Sequence, residues 1–138
     1  MKKVILITGA TDGIGFETAK SLIQLGHHVI VHGRSESKAE NVKDRLASLK
    51  DGYAVNTVIC DLSNLNSVRS MVSEITERFG NLDVLINNAG VYATSEPTTE
   101  AGLDVRFAVN TLAPYLLTKQ LLPSMSSTSR VVLSLIHI

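Results

Sequence analysis

Val4-Ile5-Leu6-Ile7-Thr8-Gly9-Ala10-Thr11-Asp12-Gly13-Ile14-Gly15 is the stretch that decides the fold. Its apolar opening, Val4 to Ile7, suits a strand buried on both faces of a sheet. Gly9, Gly13 and Gly15 then give a turn with little side-chain bulk, and the chain turns helical from Ile14. A strand that feeds a glycine loop and then a helix makes a phosphate cradle. Amide N–H groups at the helix start point at the ligand, and the helix dipole favours its negative charge.

The spacing is Gly-x-x-x-Gly-x-Gly, which differs from the Gly-x-Gly-x-x-Gly of the common dinucleotide fingerprint. No Lys-Ser or Lys-Thr follows the last glycine, so it is not a P-loop either. A glycine loop alone describes many tight turns. Its position at a strand-to-helix junction is what points to a nucleotide.

Outward from that junction, strands and helices alternate. Phe16, Ala19, Leu22 and Ile23 recur at helical spacing, and Gly26 stands where a helix C-terminal glycine belongs. Val29 to Val31 is the second strand, and a polar helix over Glu36 to Leu49 carries Val42, Leu46 and Leu49 on one face. Asp51-Gly52 makes a turn, and Tyr53 to Cys60 is the third strand. Ser63 is the expected N-cap of a helix with Leu65, Val68, Val72, Ile75 and Phe79 as its apolar positions, closed by Gly80. Leu82 to Ile86 is a fourth strand, a helix is expected from about Thr99 to Leu122, and Arg130 to Leu133 begins a fifth strand. This alternation predicts an α/β fold, a Rossmann-type doubly wound parallel sheet. Ligands in such sheets bind beyond the carboxyl ends of the strands, where strand order reverses. Gly9, Arg34, Asp61 and Asn87-Asn88 all fall at those ends.

Composition narrows the partners. In 138 residues, 13 basic groups balance 13 acidic ones, so nothing points to nucleic acid or an anionic membrane. The single cysteine, Cys60, cannot close an internal disulfide, which fits a reducing compartment. The apolar run after Met1-Lys2-Lys3 stops at Thr8-Gly9, too short for an export core or a membrane span. A cytoplasmic location is the expectation.

Four motifs in order make the chain resemble the short-chain dehydrogenase/reductase family. They are Thr8-Gly9-Ala10-Thr11-Asp12-Gly13-Ile14-Gly15, Asp61-Leu62, Asn87-Asn88-Ala89-Gly90, and Asn110 within Phe-Ala-Val-Asn-Thr-Leu-Ala. The resemblance runs from Val4 to about Val132, over an NAD(P)-binding domain at residues 1–132. It implies an oxidoreductase that passes hydride between a nicotinamide and a small-molecule carbonyl or alcohol. Cofactor contacts then fall on Gly9, Thr11, Asp12, Gly13, Ile14 and Gly15 in the loop, and on Asp61 and Leu62 at the adenine. Asn88, Ala89 and Gly90 fall at the ribose and the neighbouring strand. Asp61 has a second possible role in capping the next helix, and the two are compatible. The resemblance also gives homo-oligomers as the usual assembly of the whole protein. The run from Thr99 to Asn110 looks most like members acting on retinol-like or other lipophilic carbonyls.

Arg34 selects the cofactor. An acidic residue at the end of the second strand would accept from an adenosine ribose and repel a 2′-phosphate. His32-Gly33-Arg34-Ser35 offers instead a guanidinium that forks onto phosphate, which favours NADP(H) over NAD(H). Asn110 is a mediocre helix former, and Pro114, four residues on, has no N–H for the Asn110 carbonyl. A kink there would free that carbonyl. The family resemblance gives it a catalytic supporting role, holding a water that relays protons toward the family's lysine.

The family's serine, tyrosine and lysine are not matched. Tyr115 and Lys119 have the Tyr-x-x-x-Lys spacing, but they follow Asn110 on the same expected helix, where the family places the pair after the fifth strand. Tyr115 is expected to pack and Lys119 to reach solvent. Ser134 falls short of the family serine's register. Residues 133–138, including His137, look like the translation of a transposase adapter end used in preparing sequencing libraries, the alternative being a genuine divergent terminus. The expectation is therefore an amino-terminal fragment, inactive by itself, that exposes an apolar flank at its fifth strand. Two alternatives stay open: a non-catalytic NADP-binding sensor or scaffold, and another nucleotide-binding α/β domain such as a methyltransferase. No metal site is expected.

Overall fold

In a computed structural model, which describes residues 1–49 and 54–134, five strands form one parallel sheet in the order β3-β2-β1-β4-β5. The strands are β1 (Val4–Ile7), β2 (His28–Gly33), β3 (Val55–Ile59), β4 (Val84–Asn87) and β5 (Arg130–Leu133). Between them lie α1 (Gly13–Gln24), α2 (Glu36–Ala47), α3 (Leu65–Phe79), a short α4 (Val105–Phe107) and α5 (Ala113–Leu121). The Asp51-Gly52 turn, Tyr53 and residues 135–138 with His137 lie outside the described residues, whereas Leu133 of the expected tail belongs to β5.

Side chains on a strand alternate between faces, and β1 shows what that does. Ile5 and Ile7 join Val29 and Val31 against Ala19, Ile23, Val42 and Leu46 of α1 and α2. Leu6 points the other way and joins Ile30, Val58 and Leu85 against Val68, Met71, Ile75 and Leu117 of α3 and α5. Both faces of β1 are thus covered, as its continuous apolar run requires. The Asp83 carboxylate accepts from the Val4 amide at 2.8 Å and fixes where β1 starts beside β4.

Several expected boundaries move. Asn64, rather than Ser63, caps α3, its side-chain oxygen accepting from the Asn66 and Ser67 amides. Ser63 instead donates to Asp61. Helix α2 ends at Ala47 with Ser48 as its C-cap, so Leu49 lies past the helix and is 41% exposed. No helix begins at Thr99. Gly102, at φ 81°, closes a turn from Thr99, and Thr98 bridges Asp104 in antiparallel sense. Asp104 then caps α4 by accepting from the Arg106 amide, and its salt bridge to Arg106 holds its carboxyl down to about 2.

The stretch after α4 is not a kinked α-helix. Ala108–Leu112 is π-helical, with the Ala113 amide bonding the Ala108 carbonyl five residues back. Pro114 then stands in the first turn of α5, where a missing N–H is tolerated. Widening the turn accommodates the proline without a break.

The expected apolar flank is present. β5 pairs only with β4 among the described residues, and Val132 and Leu133 are 45% and 65% exposed. None of the helices among the described residues is long and apolar enough to cross a membrane. Leu85→Ala, in the buried layer under α3 and α5, is expected to lower the unfolding free energy by about 2–5 kcal/mol. Leu133→Ala on the open flank is expected to change it by less than about 0.5 kcal/mol. Urea denaturation of both variants measures the contrast.

Candidate functional site

A crevice of about 750 Å³ lies beyond the carboxyl ends of β1 to β4, at the point where strand order reverses. One wall is the loop from β1 to α1, with Gly9, Thr11, Asp12, Gly13 and Ile14. Arg34 follows β2, Asp61 and Leu62 follow β3, and Asn88, Ala89 and Gly90 follow β4, all lining the same space. Of the residues assigned to a cofactor, only Gly15 is not in that lining. It is buried beneath the loop.

Gly9 and Gly15 let the loop pass where it does. At Gly9 (φ 62°) an added Cβ would stand 2.8 Å from the Ala89 Cα. At Gly15 it would run into the Gly9 carbonyl oxygen and lie 2.6 Å from Asn88 Nδ2. Asp12 is the N-cap of α1 by position, yet its side chain makes no capping bond. By contrast, Ser35, Asn64 and Asp104 all cap their helices. The first-turn amides of a helix have no intrahelical partner, so those of α1 remain available to an anion.

The two loops at the switch point are stitched together. Thr8 Oγ1 accepts from the Asn88 and Ala89 amides, each at 3.0 Å. The Asn88 side-chain amide donates back to the Thr8 and Gly9 carbonyls, each at 3.2 Å. Thr8 was not assigned a role from sequence, although it opens the quoted glycine motif. Asn87, which is buried, donates to Thr118 Oγ1 at 3.1 Å and so ties β4 to α5.

Asp61 does not cap α3, whose cap is Asn64, but holds the turn before it. Its Oδ1 accepts from the Ser63 amide at 2.9 Å and the Ser63 hydroxyl at 2.7 Å. That leaves Oδ2 without a protein partner among the described residues, and Asp61 lines the crevice. Arg34 is exposed and forms no salt bridge among the described residues, with Lys38 of α2 lining the crevice alongside it. A basic residue four positions after Arg34, on the first turn of the next helix, was the available sequence signal for Lys38.

Asn110 lies apart from the crevice lining. It borders a second cavity of about 630 Å³ between α5 and β5. Its side chain clamps the main chain of Val91 from both sides, donating to the carbonyl and accepting from the amide at 2.8 Å each. Val91 itself lines the crevice, so Asn110 holds the loop after β4 from behind. Tyr115 does not pack as expected: it is 64% exposed on the rim of the second cavity, with Lys119 Nζ 5.8 Å from its ring centre. Cys60 is buried and its thiol is pushed up to about 12, chiefly by burial and then by Asp61 and Glu74, so it is no nucleophile.

His32 also went unassigned. Only 2% exposed, it bonds the Gly9 amide and the Cys60 carbonyl through its two ring nitrogens. A histidine directly after the apolar run Val29 to Val31, just before Gly33-Arg34, was its only trace in the sequence.

Comparison with known proteins places these features. The family model described as short chain dehydrogenase matches residues 3–133. Human polyprenol dehydrogenase is 38% identical over 91% of this chain and 38% of its own length. Human retinol dehydrogenase 13 is 36% identical over 94% of this chain and 40% of its own. A metagenomic short-chain oxidoreductase solved in complex with NADP superposes with a TM-score of 0.77 at 33% identity, over 88% of this chain and 56% of its own. The chain thus spans about two fifths of these curated relatives and just over half of the solved one.

Thr8→Val keeps the shape of the side chain and removes the acceptor shared by the Asn88 and Ala89 amides. It is expected to destabilise the fold by about 2 kcal/mol or more, because two half-buried N–H groups lose their partner. Thr8→Ser is expected to recover most of that loss, as read by chemical denaturation.

Proposed function

Given that the chain belongs to the short-chain dehydrogenase family, we propose that it is the cofactor-binding portion of an NADP(H)-dependent oxidoreductase. The observation that carries this is the crevice: one continuous space brings together an uncapped helix start, Gly9, where no side chain fits, and a guanidinium with no salt bridge among the described residues. A bare backbone cradle fits a pyrophosphate. When bound, the cofactor supplies a hydride donor or acceptor at the nicotinamide, for exchange with a carbonyl or alcohol carbon of the substrate.

Each group in the chain has a part in that reading. The α1 amides and the loop from Gly9 to Gly15 hold the pyrophosphate. Arg34, with Lys38 beside it, holds the 2′-phosphate, which is why NADP(H) is favoured over NAD(H). Asp61 Oδ2 accepts from the adenine amine while Leu62 packs on the ring. The small pair Ala89-Gly90 lets the ribose approach, and Asn110 fixes the loop that carries them. The family resemblance gives Asn110 a further part, its main chain holding a water, and the π-helical turn at Ala108–Leu112 is where that would occur.

The substrates that the two human relatives are named for, a polyprenol and retinol, support a lipophilic alcohol or carbonyl as substrate of the whole protein. Proton transfer needs an acid–base pair beyond these residues. Tyr115 and Lys119 are not taken as that pair: they line the second cavity and not the crevice, and the family places its pair after the fifth strand. The 138-residue chain binds cofactor and does not turn over.

Arg34→Asp tests the cofactor assignment. Losing a charge-assisted phosphate contact is expected to weaken NADPH binding by about tenfold or more while NADH changes by less than about threefold. Fluorescence titration reads both, and equal losses would overturn the preference. NADPH consumption with a panel of lipophilic aldehydes is expected to stay at background for this chain, and substantial reduction would return Tyr115 and Lys119 to the reaction.

A further inference from the structure

The cofactor reading assigns no task to His32, yet this side chain holds the phosphate loop. The Gly9 amide donates to His32 Nδ1 at 3.0 Å, and His32 Nε2 lies 2.9 Å from the Cys60 carbonyl oxygen. An amide N–H can only donate and a carbonyl can only accept. The ring therefore carries its lone pair on Nδ1 and its proton on Nε2, and it is neutral. The main-chain carbonyl of the same residue accepts from Ala10 at 3.0 Å. Two consecutive amides of the loop thus end on one residue of β2.

The far end of the ring matters equally. Cys60 immediately precedes Asp61 and Leu62, and its own amide bonds the Gly33 carbonyl at 3.1 Å. The imidazole consequently spans β2 from the loop after β1 to the end of β3. We propose that His32 is a positioning residue for the dinucleotide, its ring setting the pyrophosphate seat at Gly9–Gly15 against the adenine seat at Asp61–Leu62 and releasing the loop when Nδ1 takes a proton. The ligand in this proposal rests on the NADP(H) reading, whereas the latch rests on the two ring hydrogen bonds alone.

The surrounding charges set the direction. The titratable groups sharing this region are Asp12 in the loop, Arg34 after β2, Lys38 on α2, and Cys60 and Asp61 after β3. Burial lowers the pKa of His32, outweighing the Cys60 carbonyl and the Asp61 carboxylate, which both raise it. Unfolded, the residue titrates near about 6.5. The latch is therefore intact above that value. As pH falls from there toward the lowered folded value, the unfolded chain takes up the proton first and stability declines.

The test uses the 138-residue chain, NADPH as ligand, and the variants His32→Gln and His32→Leu. Glutamine offers an acceptor and a donor without titrating, so its NADPH affinity at about pH 8 is expected within about threefold of the parent. Across the folded-state titration of the His32 ring, followed by nuclear magnetic resonance downward from about pH 8, the parent is expected to lose about fivefold more affinity than His32→Gln. The 2′-phosphate titrates in both, so the difference isolates the imidazole. His32→Leu is expected to bind about fivefold more weakly at both pH values.

Nuclear magnetic resonance supplies a readout that needs no ligand: the Gly9 amide is expected to shift with the same midpoint as the His32 ring. Identical acid dependence in parent and His32→Gln, or a Gly9 amide that ignores the ring's titration, would overturn the proposal. If His32→Leu fails to fold, the glutamine comparison and the amide titration still decide it. If no form binds NADPH at about pH 8, the cofactor reading fails, and the Gly9 titration alone accepts or rejects the latch.

Discussion

Two backbones run within side-chain distance of each other where β1 and β4 leave the sheet, and the rest of the site depends on that approach. Gly9 lies so near Ala89 that no Cβ fits between them, and Gly15 sits against the Gly9 carbonyl in the same way. Sterics alone would only permit this. The reciprocal bonds between Thr8, Asn88 and Ala89 enforce it, because each of these half-buried polar groups would otherwise be left without a partner. Once the two loops are joined, the start of α1 is left pointing into a space that backbone atoms have shaped. Arg34, Asp61 and Leu62 then reach that space simply because β2 and β3 end beside it.

Much of this was legible in the sequence because it follows from local rules. A run of Val and Ile followed by spaced glycines admits few conformations, and the alternation of strands and amphipathic helices fixes a parallel sheet. The motifs at the strand ends then fall together without any long-range information, which is why every residue expected at a cofactor but the buried Gly15 lines one crevice. Arg34 was legible for the same reason: a strand end is a defined place in this topology.

What was not legible depends on partners far along the chain or on competition between equal candidates. Ser63 and Asn64 are both good helix caps, and Asp61 decided between them by engaging Ser63. Thr99 and Asp104 both resemble helix starts, and the turn closed at Gly102 left the role to Asp104. Pro114 signalled a disturbance near Asn110, but whether a helix answers with a kink or a widened turn depends on packing, which no single residue encodes. The tasks of His32 and of the Asn110 side chain lie in contacts to Gly9, Cys60 and Val91, invisible until the sheet is assembled. Leu49 and Tyr115 show the limit of periodicity, since spacing marks a face and only tertiary contact says whether that face is covered.

The buried thiol of Cys60 has a practical corollary. As the only cysteine in the chain, it sits under the junction of β2 and β3, flanked by the His32 ring and held protonated across the neutral range. An alkylating reagent reaches it only when that corner of the sheet opens. Its labelling rate is therefore a built-in clock for local unfolding beside the crevice, readable by mass spectrometry without introducing any probe.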